Sequence, residues 1–184
     1  LVSNGRIVML IVLDRDGVIN FESDEYIKSP DEWIPIPGSL SAIASLKKAG
    51  HTVVVATNQS GIGRGYYTHE ILADIHKKFR DLLKEFECDV DAIVYCPHRP
   101  DENCECRKPK PGLFQKIHSQ FNNDWSDSIA VGDALRDIQA ANSVGCSSML
   151  VRTGRGKMTI EKGIGLDGVE IVDDLEQFAR KIIA

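Results

Sequence analysis

The sequence predicts an α/β fold: a three-layer, Rossmann-like parallel sheet with helices on both faces. Two observations carry this reading. Short apolar runs rich in β-branched residues, at 7–13, 52–56, 92–96, 128–131, 147–151 and 169–172, alternate with longer stretches of helical period. Strands buried on both faces read as unbroken apolar runs, and strands alternating with helices build a parallel sheet with right-handed crossovers. Three of the runs also end abruptly in polar or acidic residues, and the carboxyl ends of parallel strands are where such sheets bind ligands.

The elements follow in order. Ile-Val-Met-Leu-Ile-Val-Leu runs into Asp14-Arg15-Asp16-Gly17. If both acids serve one site the backbone must turn after Asp14, which Gly17 permits. Residues 18–37 are irregular, broken by Pro30, Pro35 and Pro37. Ser39 is placed to cap a helix over 39–49, with Leu40, Ile43, Ala44 and Leu46 on its apolar face and Gly50 closing it. The Val-rich strand 52–56 ends in Thr57-Asn58-Gln59-Ser60. Thr68 or His69 opens a long amphipathic helix to about residue 86, with Ile71, Leu72, Ile75, Phe79, Leu82, Leu83 and Phe86 at helical spacing. After the strand 92–96 comes a Cys/His/Pro-rich loop, then a helix over 112–120. Strand 128–131 ends in Gly132-Asp133, a helix spans 134–143, and strand 147–151 leads to a glycine-rich stretch, 154–168, read as mobile. A short strand and a helix over 175–183 close the chain.

With 184 residues, the chain is expected to form one domain, 1–184, with a substantial core. Its net charge of −5 argues against nucleic acid as a partner. It also means that a phosphorylated substrate would need a cation or a few placed basic residues. No apolar run approaches the roughly 20 residues of a membrane span, and residues 1–6 lack a signal-peptide layout. Three of the five cysteines cluster with a histidine, which favours a metal and a reducing, cytoplasmic setting over disulfides.

The chemistry gathers at the strand ends. Asp14, Asp16 and Asp133 would make an oxygen site suited to Mg²⁺, and a carboxylate can also serve as a covalent nucleophile. The plainer use of Asp133 is as a helix cap. Asp133 and Asp137 would share a helix face if the helix begins at Asp133. Thr57 offers a hydroxyl, Asn58 an amide, and the loop beyond them backbone amides able to hold phosphate oxygens. In Cys-Arg-Lys-Pro-Lys-Pro-Gly, Lys108 is a cation for charge developing in phosphoryl transfer and Arg107 a fork for a second anion. Cys96, His98, Cys104 and Cys106 fall within eleven residues. They form a closed Cys₃His set of the structural Zn²⁺ type, in a loop at about 96–106 that presents Arg107 and Lys108. Cys88 and Cys146 are spare thiols, and His51, His69, His76 and His118 read as surface or packing residues.

Asp14-x-Asp16-Gly17, Thr57, Lys108 and Gly132-Asp133-x-x-x-Asp137 resemble, in order, the four motifs of the haloacid dehalogenase-like phosphatases. More narrowly, Asp-Arg-Asp-Gly-Val-Ile-Asn, Thr-Asn-Gln-Ser-Gly-Ile-Gly-Arg-Gly, the Cys/His loop and Cys-Arg-Lys-Pro-Lys-Pro-Gly are similar to the heptose-1,7-bisphosphate phosphatase family. The resemblance implies a capless, monomeric, cytoplasmic enzyme that uses magnesium and carries zinc. It would remove the 7-phosphate of a small sugar bisphosphate on the way to ADP-heptose for lipopolysaccharide, or to GDP-heptose. It further implies Asp14 as nucleophile and metal ligand, Asp16 as general acid/base and carbonyl ligand, and Asp133 as the remaining metal ligand. Thr57 and Lys108 would steady the transferring phosphoryl group and Arg107 would recognise substrate. Glu22, Ser23, Asp24, Glu25 and Tyr26, with Asn58, Gln59 and Ser60, would contact the sugar phosphate. Ala134 departs from members with lysine there, and the Cys/His loop is shorter than in some. The neighbouring family is the histidinol-phosphate phosphatases. A reading of another class is a zinc-stabilised binding module without catalysis.

Overall fold

The structure, a computed structural model, describes residues 2–3 and 6–184, with side chains from residue 8 onward. Leu1, Asn4 and Gly5, part of the opening segment searched for a targeting signal, lie outside the described residues. Val2–Ser3 (β1) and Arg6–Ile7 (β2) pair antiparallel as a small ribbon. The main sheet comprises β3 (Leu10–Leu13), β4 (Thr52–Asn58), β5 (Ala92–Cys96), β6 (Ser128–Gly132), β7 (Ser147–Val151) and β8 (Glu170–Val172). The helices are α1 (Ser39–Lys48), α2 (His69–Lys84), α3 (Gly112–Phe121), α4 (Leu135–Asn142), α5 (Gly156–Lys162) and α6 (Leu175–Ile183).

All neighbours in the main sheet are parallel, in the order β5-β4-β3-β6-β7-β8. Alternate residues of each strand point to opposite faces. Ile11, Leu13, Val53, Val55, Ile129 and Val131 therefore pack against Ile43 and Leu46 of α1, Phe79 of α2 and Phe178 of α6. Leu10, Val12, Val54, Ala56 and Ala130 face Leu113, Phe114 and Ile117 of α3 and Ala140 and Ala141 of α4. Each large apolar side chain buried in these two layers contributes about 1.5–3 kcal/mol. The helices change face where the chain reverses its direction across the sheet, as crossovers of one hand require.

That reversal positions the site. From β3 the chain moves outward through β4 to β5, then returns to β6 on the other side of β3. The crevice between the carboxyl ends of β3 and β6 is the switch point at which open parallel sheets bind ligands, and Asp14 and Asp133 stand there. The proline-broken segment 18–37 is anchored: Val18, Ile19, Ile27 and Trp33 join the first core layer, and Trp33 packs 5.4 Å from Phe79, ring to ring.

Four local readings change. The first core strand begins at Leu10, because Ile7 pairs back onto Val2 instead. Gly38, at φ 84°, is the N-cap of α1, and the Ser39 hydroxyl donates to the carbonyl of Ile19. The stretch 154–168 contains α5: between Gly156 and Gly163 run six residues free of glycine, and Gly163 at φ 62° ends the helix. Asp133 precedes α4, whose N-cap is the extended Ala134. Asp133 and Asp137 therefore meet because Asp137 folds back to accept from the Ala134 N–H at 3.1 Å.

Candidate active site

Asp14 leaves β3 with its Oδ1 accepting from the Arg15 N–H at 2.8 Å. The Lys108 ammonium lies 3.0 Å from Asp14 Oδ1 and 2.6 Å from Asp137 Oδ1, and it donates to the Ala56 carbonyl. Lys108 is thus a buried bridge between two carboxylates. Its backbone is fixed by the Asn58 side-chain amide, which donates to the Lys108 carbonyl at 3.0 Å and accepts from its N–H at 3.1 Å. This pair, with the Lys108 ammonium on the Ala56 carbonyl, ties strand β4 to the segment after the Cys/His loop.

Asp133 is fully buried. Its Oδ2 accepts from the Arg155 N–H at 2.8 Å, and its Oδ1 has no hydrogen-bond partner among the described residues. The space around it is kept by glycine: a Cβ at Gly17 or Gly154 would stand 2.0 or 2.2 Å from Asp133 Oδ2. Burial, with Asp14 and Asp137 nearby, pushes the Asp133 carboxyl up to about 8. Burial likewise raises Asp14 to about 6, against the pull of Lys108. Oxygens of Asp14, Asp133 and Asp137 come within 4.8 Å of one another. Lys108, even with the nearby charge of Arg136, leaves three buried acids underbalanced, as the raised carboxyls show. An unpartnered carboxylate oxygen in such a cluster fits a hard divalent cation with oxygen ligands, such as magnesium. Asp137, already engaged by Lys108 and Ala134, is the least available of the three.

Asp16 faces away from this cluster. Its carboxylate accepts from Arg15 Nη2 at 2.9 Å, Asn20 Nδ2 at 2.8 Å and Gln59 Nε2 at 2.8 Å. Burial works against the charge, but Arg15 and these hydrogen bonds outweigh it and hold the carboxyl below its usual range. Arg15 is buried and also donates to Gln59 Oε1, while its Nη1 lies 3.3 Å from His76 Nε2. A guanidinium only donates, so that nitrogen accepts and His76 is neutral. Burial, then the charge of Arg15, lowers His76 to about 3. Gln59 further donates to Thr57 Oγ1 and accepts from the Tyr67 hydroxyl at 2.6 Å. Its amide is spent on protein partners and positions Asp16 and Thr57.

A cavity of about 230 Å³ opens above these groups, lined among others by Asp14, Asp16, Thr57, Asn58, Gln59, Ser60 and Arg107. Of the loop 22–26, Glu22, Ser23, Asp24 and Tyr26 reach it, whereas Glu25 is exposed beyond the lining. Asp133 and Lys108 lie buried behind the wall. Arg64, Tyr67, Arg136 and Arg155 also line the cavity, and sequence reasoning missed them. Arg155 lies in the short loop after β7, the second arginine of Arg-Thr-Gly-Arg-Gly, so a search of the loops past strand ends would have found it. Arg136 adjoins Asp137, and Arg15 lies between the two motif acids, where it reads as a spacer.

Beside the cavity the Cys96 sulfur lies 3.5 Å from that of Cys104 and 3.1 Å from that of Cys106, and His98 Nδ1 lies 3.3 Å from Cys106 Sγ. All five cysteines are free. A tetrahedral zinc site with Zn–S of about 2.3 Å needs sulfurs roughly 3.8 Å apart, so this donor set needs only slight expansion to hold such an ion. Among the described residues no helix is long and apolar enough to cross a membrane.

A family model described as "HAD-hyrolase-like" matches residues 105–178. A D-glycero-beta-D-manno-heptose-1,7-bisphosphate 7-phosphatase of Pseudomonas aeruginosa is 51% identical over 174 residues, 95% of this chain and 97% of its own length. The protein of that name from Pseudomonas putida is 52% identical over 174 residues, covering 95% and 99%. The crystal structure of the D,D-heptose 1,7-bisphosphate phosphatase of B. bronchiseptica, complexed with magnesium and phosphate, is similar with a TM-score of 0.93 at 48% identity, covering 96% of this chain and 98% of that one.

Proposed function

The chain belongs to the D-glycero-beta-D-manno-heptose-1,7-bisphosphate 7-phosphatase family, and from that premise we propose that it hydrolyses the 7-phosphate of D-glycero-D-manno-heptose 1,7-bisphosphate. The observation that carries the proposal is Asp14 itself: a carboxylate at the switch point, open to the cavity, with Lys108 3.0 Å away and Asp133 beside it.

Asp14 is the nucleophile. Its oxygen bonds to phosphorus while the bond from phosphorus to the sugar's 7-oxygen breaks, and Asp16 delivers a proton to that leaving oxygen. Water then attacks the aspartyl-phosphate, Asp16 takes the proton, and inorganic phosphate and the Asp14 carboxylate are restored. Held by Arg15, Asp16 is ionised, the form that serves the second step. The first step requires its carboxyl to leave the guanidinium and gain a proton. The Thr57 oxygen already accepts from Gln59, which leaves its hydroxyl proton for a phosphate oxygen. Lys108 balances charge on the equatorial oxygens. The carboxylates of Asp14 and Asp133, with the Asp16 carbonyl, would hold a magnesium ion, whose charge offsets the repulsion between a carboxylate and a phosphate dianion. Cys96, His98, Cys104 and Cys106 would hold zinc with no position open, so that metal would shape the loop presenting Arg107 and Lys108. Glu22, Ser23, Asp24, Tyr26, Asn58, Ser60 and Arg107 form the substrate wall. Every group comes from one chain, which suits a monomer, and the free thiol cluster suits a reducing cytoplasm.

The test is kcat/KM with magnesium on both anomers of the heptose bisphosphate, on histidinol phosphate and on an aryl phosphate. We expect one bisphosphate anomer to lead the other substrates by roughly 100-fold. Histidinol phosphate turned over as well or better would overturn the assignment, and no turnover of any phosphate would make the chain a binding module.

A further inference from the structure

Arg15, the residue between the two motif acids, is 1% exposed and held at both ends. Its backbone N–H donates to Asp14 Oδ1 at 2.8 Å, and its carbonyl accepts from the N–H groups of Ile19 and Asn20 at 2.8 and 3.2 Å. That tight turn fixes the root of the side chain. The guanidinium then folds back onto the next residue, with Nε 3.1 Å from Asp16 Oδ1 and Nη2 2.9 and 3.1 Å from the two carboxylate oxygens. Its far side meets His76 Nε2 through Nη1 and Gln59 Oε1 through Nη2.

Asp16 makes five hydrogen bonds among the described residues: one from Arg15 Nε, two from Arg15 Nη2, one from Asn20 Nδ2 and one from Gln59 Nε2. All are donated by nitrogen, so none of these partners can accept a carboxyl proton. The place is made for a carboxylate, and Arg15 supplies its one charged partner. The Asp16 side chain is still 21% exposed and lines the cavity, within reach of water. The two chemical steps ask opposite things of it. Transfer to Asp14 begins with the acid, and dephosphorylation begins with the base. The surroundings of Asp16 suit the second.

We propose that Arg15 is a positioning residue for dephosphorylation, aligned by the lone pair of His76 and acting through Asp16. This rests on the aspartyl-phosphate reading of the site. In that step the water oxygen bonds to phosphorus, the bond from phosphorus to Asp14 breaks, and the water proton passes to Asp16. The carboxyl so formed no longer matches the fork of donors and is released from it, carrying the proton that the next sugar oxygen takes.

The experiment follows single turnovers of an aryl phosphate whose phenolate departs without a proton, so that the first step is independent of Asp16. Release of the phenol, phosphate bound covalently after acid quench, and Tm are measured for wild type, Arg15→Met, Arg15→Lys, His76→Phe, His76→Gln and, as reference, Asp16→Asn. Arg15→Met should give a burst approaching one phenol per chain, accumulate phosphoenzyme as Asp16→Asn does, and turn over about 100-fold more slowly. Arg15→Lys, a cation without the fork, should recover part of the loss. His76→Phe removes the acceptor at Nη1 and should show the same pattern at about tenfold, whereas His76→Gln, which can still accept there, should stay within about threefold. If Arg15→Met loses its fold, the two His76 variants carry the comparison. Slower turnover of Arg15→Met and His76→Phe without a burst or covalent phosphate, while Asp16→Asn accumulates it, would show a merely structural role and overturn the proposal, as would unchanged turnover. Covalent phosphate in none of the proteins, Asp16→Asn included, would instead overturn the aspartyl-phosphate reading.

Discussion

The described residues include two clusters of side chains able to ligate a metal, and they are built on opposite plans. The cluster of Asp14, Asp133 and Asp137 sits at the centre of the sheet, just past the ends of β3 and β6, whose flanks are both paired, with Asp137 in the first turn of α4, and it is crowded with like charge. The cluster of Cys96, His98, Cys104 and Cys106 hangs from the edge strand β5 on a loop with little regular structure of its own. In the first, the scaffold holds the ligands in place against their own repulsion. In the second, the ligands must hold the scaffold. On the proposed reading, the rigid framework carries the cluster assigned to chemistry, and the loop depends on the cluster assigned to zinc.

The two plans predict opposite responses to ligand loss. Asp14→Asn should reduce kcat by about a thousandfold or more while its Tm in chelator stays at or above that of wild type, because the change removes a buried charge that Lys108 does not fully balance. Activity within tenfold of wild type would remove Asp14 as nucleophile. Asp16→Asn should cost ~10²–10⁴-fold in kcat and keep the fold, measured by the same pair of assays; an unchanged kcat would end its role as proton carrier. Cys104→Ser should behave the other way, with Tm lower by about 10 °C, the equivalent of roughly 3 kcal/mol at this chain length. Its activity should fall alike on bisphosphate and aryl phosphate. Wild-type protein dialysed against magnesium-free buffer should keep one zinc per chain while losing activity that added magnesium restores. Zinc-free protein with normal Tm would collapse the contrast.

The smallest effect lies in the network behind Asp16. The folded pKa of His76 is depressed to about 3 by burial and then by Arg15. Its neutral form thus contributes stability above about pH 6.5, and that contribution is lost as pH falls from 6.5 toward 3. His76→Gln should make the decline of unfolding free energy between pH 6.5 and 4, measured by denaturant titration, shallower by on the order of 1 kcal/mol per pH unit or less. A steeper decline would mean that the imidazole is protonated in the folded protein.

Much of this was legible in the residues. Alternation of apolar runs and amphipathic stretches located the core strands and helices, and Asp14, Thr57 and Asp133 stand at strand ends as the pattern requires. What stayed hidden depended on long-range meeting. Nothing local tells that Arg15 is buried, since only His76, Gln59 and Asp16 together make a place for it. Glycine content made 154–168 look loose, although its interior is helix and its Thr159 hydroxyl donates to the Asp133 carbonyl. Gln59 reads as a free polar loop residue until the four partners of its amide are seen.

The Asp133 oxygen wedged between Gly17 and Gly154 has a consequence for how this chain tolerates change. Those glycines lie on segments far apart in the sequence, and each would bring a methyl carbon within 2.2 Å of the same atom. Both also hold backbone angles that disfavour other residues, at φ 85° and 55°. A saturation library should therefore find positions 17 and 154 as intolerant as the aspartates, although neither has a functional group to lose. Here inactivity follows from adding atoms, so a scan by alanine, which elsewhere removes function, would at these two positions block it by occupancy.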